Sequence, residues 1–497
     1  MVPIVPLRMV TRRTYQDALA ALNSLQSNYA HIKLVRESGD RRNAMNLSEM
    51  YEWSRRLGYS VSDFNKLNVI HITGTKGKGS TAAFTTSILQ QYKNEIKKVG
   101  LYTSPHLRSV RERIRINGEP ISESKFTKYF FEVWDSLDNT TSPQDKFPHM
   151  IPGSKPGYFK FLTLLSFHTF IKEECECCVY EVGVGGEYDS TNIIEKPIAC
   201  GVTLLGIDHT FMLGNTIEEI AWNKGGIFKP EAPAFTISNQ NPNGLKVLIE
   251  RAAERRTSLV EVPTFKQLEN VTLGIAGEFQ KTNASLAITL ASQALNSLKI
   301  INEQIPSEVD DELNETFIKG LKETVWEGRC QHIKTGNINW YIDGAHTLES
   351  MEAAAQWFNG ETAQIKNKKM LLFNQQTRNA NELIKVLVNE VGNAGKFEEA
   401  IFTTNVTWES GSYNPDLVSI NVSQEQVDKL EVQRQLATDW EEISPNSKAH
   451  VTSSIEKAFN LLSKRADNEE IDVFVTGSLH LVGGFLVVLD KYSDGQS

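Results

Sequence analysis

Apolar residues in this chain come in short runs that break into polar, glycine-bearing loops and are followed by stretches with helical spacing. The first run, Val69–Ile72, gives way to Thr73-Gly74-Thr75-Lys76-Gly77-Lys78-Gly79-Ser80-Thr81, and Ala82, Ala83, Phe84, Ile88 and Leu89 then recur on one helix face. Strand, loop and helix are predicted in that order. The alternation continues through Val99–Thr103, a helical Gly157–Ile171, Val179–Val184 and Cys200–Leu205, the rhythm of a mostly parallel sheet with crossover helices. Ile301–Asn314, polar and acidic with Pro306, reads as a connection, and the chain divides near Trp326. A second series follows: Gln331–Lys334, a turn at Thr335-Gly336-Asn337, then Ile338–Ile342, Lys369–Phe373, Ala400–Thr403 and Ile471–Val475. That is a smaller α/β unit with its own core. Ser136–Pro156, polar and proline-bearing, is expected to be a long surface excursion, and no repeat or low-complexity tract stands out.

The loop after Val69–Ile72 has the composition of an anion cradle. Its glycines let backbone N–H groups turn inward, Lys78 adds a point charge, and the helix N-terminus adds a partial positive charge. A nucleoside triphosphate is the expected ligand. The usual G-x-x-x-x-G-K-[ST] spacing is not kept, because Gly79 follows Lys78 and Ile72 stands where the first glycine belongs. A magnesium-binding hydroxyl is therefore expected from another loop.

Composition narrows the class. With 497 residues and 40% hydrophobic content the chain can bury at least two cores. Its 52 basic and 61 acidic residues leave a formal charge of −9, which gives no global attraction to nucleic acid or to an anionic membrane. No apolar run approaches the roughly 20 residues needed to cross a bilayer. Arg8, Arg12 and Arg13, with no acid before Asp17, fit either the remnant of a mitochondrial presequence or an unremarkable terminus, and Pro3 and Pro6 spoil an amphipathic helix there. A cytoplasmic protein with a mitochondrial form is the expectation. Five cysteines (Cys175, Cys177, Cys178, Cys200, Cys330) are too few for a disulfide framework; Cys175, Cys177 and Cys178 lack zinc-site spacing and read as small apolar residues leading into a strand.

Four further loops carry candidate chemistry. Leu101-Tyr102-Thr103-Ser104-Pro105-His106-Leu107 exposes hydroxyls at a strand end. In the stretch after it Arg111, Arg113 and Arg115 share one face on strand spacing, either a site for a carboxylate-rich ligand or the solvated face of an edge strand. Glu181 closes an apolar strand before Gly183-Val184-Gly185-Gly186, a position suited to magnesium or to a salt bridge. Asp208-His209 follows Val202–Leu205 on the same sheet edge, and the helical Thr216–Lys224 ends in Asn223-Lys224-Gly225-Gly226-Ile227. In the second unit Trp326-Glu327-Gly328-Arg329 and Asp343-Gly344-Ala345-His346 bring an arginine and an acid to the boundary, to embrace a nucleotide or to form interdomain salt bridges. Val475-Thr476-Gly477-Ser478-Leu479-His480 is one more strand exit.

These motifs occur in the order G-T-K-G-K-G-S-T, T-S-P-H-L with R-E-R-I-R-I-N-G, Y-E-V-G-V-G-G with D-S-T-N, D-H, N-K-G-G-I, A-G-E-F-Q-x-x-N-A, W-E-G-R, D-G-A-H and T-G-S-L-H. The ordered set, spanning roughly residues 65 to 485, resembles the folylpolyglutamate synthases of the eukaryotic type, a family related to the muramyl-peptide ligases and to dihydrofolate synthase. The resemblance implies an α/β fold with a P-loop-containing, mostly parallel sheet domain at 1–321 and a smaller Rossmann-like domain at 322–497. It implies ATP-dependent addition of L-glutamate to the γ-carboxyl of tetrahydrofolate and its polyglutamates, with Mg2+ and room for a monovalent cation such as K+, by a monomer. Gly77, Lys78, Gly79 and Ser80 would wrap the ATP phosphates, and Ser104, Glu181 and His209 would hold magnesium. Asn283 would face adenine, and Arg329 and Asp343 would reach phosphate and ribose. Lys224 matches a lysine the family carries as a carbamate, and His346 or His209 would take the amine proton. Phe279 stands where the family's G-E-H-Q has histidine; Thr347 stands where bacterial relatives have asparagine, a change expected to matter little. Dihydrofolate synthase, a phosphotransferase or ATPase, and a non-catalytic nucleotide-gated binding protein share parts of this set.

Overall fold

Among the described residues, eight strands form one sheet and six form another. The computed structural model describes residues 13–26, 43–376, 380–391, 397–410, 430–467 and 469–494, so the terminal Arg8 and Arg12 lie outside the described residues. Arg13 pairs with Asp135 at 2.8 Å and stacks over Phe131.

The first sheet comprises β1 (Val69–Thr73), β2 (Val99–Tyr102), β3 (Ile114–Ile116), β4 (Glu119–Pro120), β5 (Cys177–Glu181), β6 (Ala199–Val202), β7 (Ala234–Ile237) and β8 (Leu259–Val262). Its order is β4-β3-β2-β5-β1-β6-β7-β8, parallel except where β3 meets β2 and β4. Both faces are covered, which is why the central strands read as continuous apolar runs. Ile70 and Ile72 go under helices Lys78–Gln90 and Gln280–Ser297, and Val69, with Tyr102 and Tyr180, meets helices Glu123–Asn139 and Tyr158–Lys172. With β1 between β5 and β6, the carboxyl ends of these three strands lie side by side, where open α/β sheets bind ligands.

One polar residue sits inside this strand. His71 is fully buried with Nε2 2.9 Å from the Thr191 hydroxyl, and burial, aided by Lys229, pushes its pKa down to about 3 from 6.5. The unfolded chain takes up that proton at the ordinary value and the folded chain does not. Stability is therefore expected to fall as pH drops below 6.5 toward 3, by about 1.4 kcal/mol per unit. Denaturant titrations between about pH 7 and about pH 5 should show a shallower loss for His71→Gln than for the parent.

The second sheet comprises β9 (Gln331–Thr335), β10 (Ile338–Ile342), β11 (Lys368–Phe373), β12 (Phe397–Phe402), β13 (Lys448–Val451) and β14 (Ile471–Thr476), in the order β13-β12-β11-β14-β10-β9. Only the β9–β10 hairpin is antiparallel. Tyr341, Leu371, Phe402 and Phe474 pack beneath helices Leu348–Thr362, Ala380–Val391 and Glu431–Ile443; Trp340, Leu372, Ile401 and Val475 face helices Ile455–Arg465 and Leu479–Asp494.

The connection at 301–314 does not lead straight into this second sheet. It enters helix Glu315–Glu323, which lies on helix Lys78–Gln90 so closely that a Cβ on Gly320 would stand 2.8 Å from Ile88 Cα. The passage between the sheets is the segment Thr324–Cys330.

Two expectations need correction, and a third, on the cysteines, holds. Arg111, Arg113 and Arg115 do not share a strand face, because Val110–Arg113 is a 3-10 turn capped by Ser109 and only Ile114–Ile116 is strand. Arg111 lies by Tyr15 and donates to the Ile121 carbonyl, Arg113 stacks on Tyr158 and donates to His106, and Arg115 stacks on Trp326. The stretch 136–156 is not a surface excursion throughout: it begins in helix Glu123–Asn139, and Ser142 and Met150 are buried against each other. The cysteines are buried free thiols, and burial pushes Cys177 and Cys200 up to about 12.

Candidate active site

β1 ends in a loop that is fastened to its neighbour β6. Thr75 and Lys76 donate their N–H groups to the Leu204 carbonyl at 2.9 and 3.1 Å, and the Thr203 hydroxyl donates to the Lys76 carbonyl at 2.6 Å. Gly77, at φ +87°, is the residue before helix Lys78–Gln90, and no side chain caps the first turn. The first-turn N–H groups of Lys78, Gly79 and Ser80 therefore have no capping side chain, an arrangement that suits an anion. A Cβ at Gly77 would lie 2.2 Å from Asn283 Oδ1. Gly77→Ala is expected to raise the KM for ATP by about tenfold and to lower the melting temperature by several degrees, because strain and collision act together. An unchanged KM would separate this turn from nucleotide binding.

Two lysine side chains converge on one carbonyl. Lys78 Nζ and Lys224 Nζ both donate to Gly74 O, at 3.0 and 2.7 Å, in a cleft that Asp208, His209 and Gly185 also line. Lys224 is buried at the end of helix Ile217–Lys224, and burial first, then the charge of Lys78, pushes its pKa well down. Such a cleft favours an anion.

Glu181 stands at the carboxyl end of β5, where it accepts the Ser104 N–H at 2.9 Å. Burial raises its pKa, opposed by Lys78, by that N–H, by Arg329 and by Arg113. It is beside the helix start, since a Cβ on Gly79 would be 3.8 Å from Glu181 Oε1. Glu181 and Ser104 therefore meet, whereas His209 lies in the cleft with the two lysines; among the described residues no three His, Cys, Asp or Glu side chains converge as a preformed metal group. A carboxylate raised by burial and a neighbouring hydroxyl are hard oxygen donors, which suits Mg2+. Asp189, by contrast, is occupied with the backbone, accepting the N–H groups of Val184 and Thr191 to close the glycine turn.

Asn283 projects from helix Gln280–Ser297 against the loop and donates to Gln280, which in turn donates to the Ser80 hydroxyl at 3.3 Å. The second sheet supplies the other wall. Asp343, buried at the end of β10, accepts the Cys330 N–H at 2.8 Å; burial raises its pKa against the pull of Arg329. Arg329 and His346 gather around Gly344: a Cβ there would be 2.8 Å from Arg329 Nη1, and His346 Nδ1 is 2.9 Å from Gly344 O. Lys76 Nζ crosses between the sheets to the Thr347 hydroxyl at 2.7 Å, and Thr347 also caps helix Leu348–Thr362. Thr347 thus has a consequence the sequence reading did not assign it.

Sequence reasoning also missed Lys76, Gln280 and Trp326, whose indole Nε1 would be 3.5 Å from a Cβ on Gly79. All three lie inside motifs already singled out, and it is the pairing across the fold that gives them a place. Phe279, at the start of its helix, is exposed.

A glycine- and lysine-bearing loop on one sheet, faced by an arginine and an acid from a second, is the arrangement of a nucleotide-binding enzyme of two α/β units. The family model for the C-terminal domain of dihydrofolate synthetase matches residues 327–488. Folylpolyglutamate synthases from two strains of Saccharomyces cerevisiae, FostersO and AWRI796, are each 67% identical over 487 residues, covering 98% of this chain and 88% of theirs. The Mycobacterium tuberculosis folylpolyglutamate synthase complexed with ADP and AMPPCP superposes with a TM-score of 0.69 at 20% identity, covering 89% of this chain and 95% of that one. The enzyme from Thermotoga maritima gives 0.68 at 23% identity, with 97% of each chain covered. This chain belongs to the folylpolyglutamate synthase family.

Proposed function

We propose that the chain joins L-glutamate to the γ-carboxyl of tetrahydrofolate and its polyglutamates at the expense of ATP, as a cytoplasmic monomer with a mitochondrial form. Two domains, 1–321 and 322–497, contribute to the reaction, the first holding the phosphates and folate, the second completing the ATP and glutamate site. The observation that carries this reading is the meeting of both units at one loop: Lys76 reaches Thr347, and Arg329 acts on the buried Glu181. A solved relative at 20% identity, a folylpolyglutamate synthase in complex with AMPPCP and folate, supports the substrate class.

A carboxylate does not condense with an amine at neutral pH, so the γ-phosphoryl group of ATP passes first to the folate γ-carboxylate, giving an acyl phosphate and ADP. Gly77, Gly79 and Ser80 hold the phosphates, and Lys78 neutralises charge that spreads over the phosphoryl oxygens during transfer. Mg2+, held by Glu181, Ser104 and His209, would supply further positive charge to the polyphosphate. Asn283 orients adenine, while Arg329 and Asp343 hold phosphate and ribose from the opposite side. The amine of glutamate attacks the acyl carbon, the tetrahedral intermediate expels phosphate, and His346 accepts the amine proton, His209 being engaged with the metal. Enclosure between the two units keeps water from the acyl phosphate.

The test is phosphate release from ATP and Mg2+ with tetrahydrofolate or dihydropteroate, each with and without L-glutamate, with product masses followed. Release that needs tetrahydrofolate and glutamate together, matched by a glutamyl mass increment, is the expected result. Release indifferent to glutamate would overturn the ligase. The match of 327–488 to a dihydrofolate synthetase model favours a second reading, addition of glutamate to dihydropteroate, and the dihydropteroate arm decides it.

A further inference from the structure

The loop between β2 and β3 makes contacts that the reaction above does not use. Glu112 fixes its shape by accepting three consecutive N–H groups, of Leu107 at 2.8 Å, Arg108 at 3.0 Å and Ser109 at 2.9 Å. The loop is wedged against the second unit: Leu107 O would be 1.9 Å from a Cβ on Gly483, and Leu107 Cδ1 3.0 Å from one on Gly328. The Arg108 guanidinium then divides, one nitrogen pairing with Glu327 and the other with Asp490 of helix Leu479–Asp494 at 2.5 Å. Farther along, Arg115 lies 5.2 Å from the ring centre of Trp326 and donates to the Glu112 and Gly118 carbonyls.

Trp326, Glu327 and Gly328 are consecutive residues of the passage between the sheets, and Arg329 comes next. We propose that Arg108 and Arg115 are positioning residues, which grip this passage from the first unit and so set where Arg329 stands relative to the phosphate loop. The inference rests on the nucleotide site proposed above. A purely stabilising role explains the arrangement less well, because Arg108, Glu327 and Asp490 are 25%, 29% and 56% exposed and ion pairs still reached by water contribute little to stability. What the pair does hold is geometry. Trp326 is set beside Gly79 on one side of the passage, and Arg329 beside Gly344 and within the field of Glu181 on the other.

The test is calorimetric titration of the full chain with AMPPCP and Mg2+, which requires no turnover. Arg108→Ala is expected to weaken binding by about tenfold with little change in melting temperature, and Glu327→Gln by a similar factor. The double variant should be no weaker than Arg108→Ala, because both open the Arg108–Glu327 contact, and Arg108→Lys, whose single ammonium can meet one acid but not both, should recover part of the affinity. Should Arg108→Ala fail to fold, Glu327→Gln with Asp490→Asn carries the same test with side chains of unchanged size. Binding by Arg108→Ala within about twofold of the parent, or losses that add in the double variant, would overturn the positioning role. Absence of AMPPCP binding by the parent chain would instead overturn the nucleotide site itself, so the two failures are distinguishable.

Discussion

Lys78→Met is expected to lower glutamate-dependent phosphate release by about a thousandfold while the circular dichroism spectrum stays that of the parent. The lysine holds little of the fold together: its ammonium rests on Gly74 O, a carbonyl that Lys224 also engages, so that acceptor keeps a partner when Lys78 is replaced. On the reading proposed above, its contribution falls in the transition state, where negative charge spreads over the phosphoryl oxygens. Arginine is expected to be a poor substitute, because a planar fork does not fit where a compact ammonium shares a cleft with another lysine. A secondary effect follows from the charge itself. Lys78 is the second cause, after burial, of the lowered pKa of Lys224, so its removal should let that pKa rise. Retention of more than about a tenth of parental turnover would remove Lys78 from the phosphate site.

Lys224→Gln should cost about a hundredfold in turnover, and the parent chain should lose activity in CO2-free buffer and regain it with bicarbonate. Burial favours the neutral amine of this lysine. Its pKa is pushed well below 10.5, so a larger fraction is the neutral amine at neutral pH. The amine nitrogen can then bond to the carbon of CO2 and release a proton, leaving a carbamate anion in a cleft that also contains Lys78 and His209. The sign of the pH effect on stability agrees: the unfolded chain holds the lysine proton up to 10.5 while the folded chain gives it up sooner, so this group's contribution improves as pH rises. Glutamine keeps a donor for Gly74 O and cannot form the carbamate. A carbonyl resonance from labelled bicarbonate, present in the parent and missing in Lys224→Gln, is the direct observation; no resonance and no bicarbonate dependence would leave Lys224 an ordinary buried amine.

The sheet centres were legible because burial on both faces writes an unbroken apolar run, as in Val69–Ile72 and at Val179 and Tyr180. β7, β8 and β13 were not, being four residues each, with Thr236, Glu261 and His450 interrupting them. The arginine stretch misled for a different reason. Alternation suggested a strand, but Ser109-Val110-Arg111-Glu112 is also a capping box, and Glu112 gathering three N–H groups outweighs alternation in so short a segment. Of the candidate site, the loop and Glu181 could be placed from strand ends alone. What sequence could not give is which loops face one another: Lys76 against Thr347, or Arg108 against Glu327, are pairings at separations that no spacing rule reaches.

The outer edges of the first sheet have a bearing on behaviour at high concentration. β4 is two residues long, one of them charged and the other, Pro120, without an N–H to donate. At the opposite edge Glu261 is exposed in β8 and Pro263 follows directly. A foreign strand arriving at either side finds a ladder too short or too interrupted to extend, so the sheet resists growth by edge-to-edge addition.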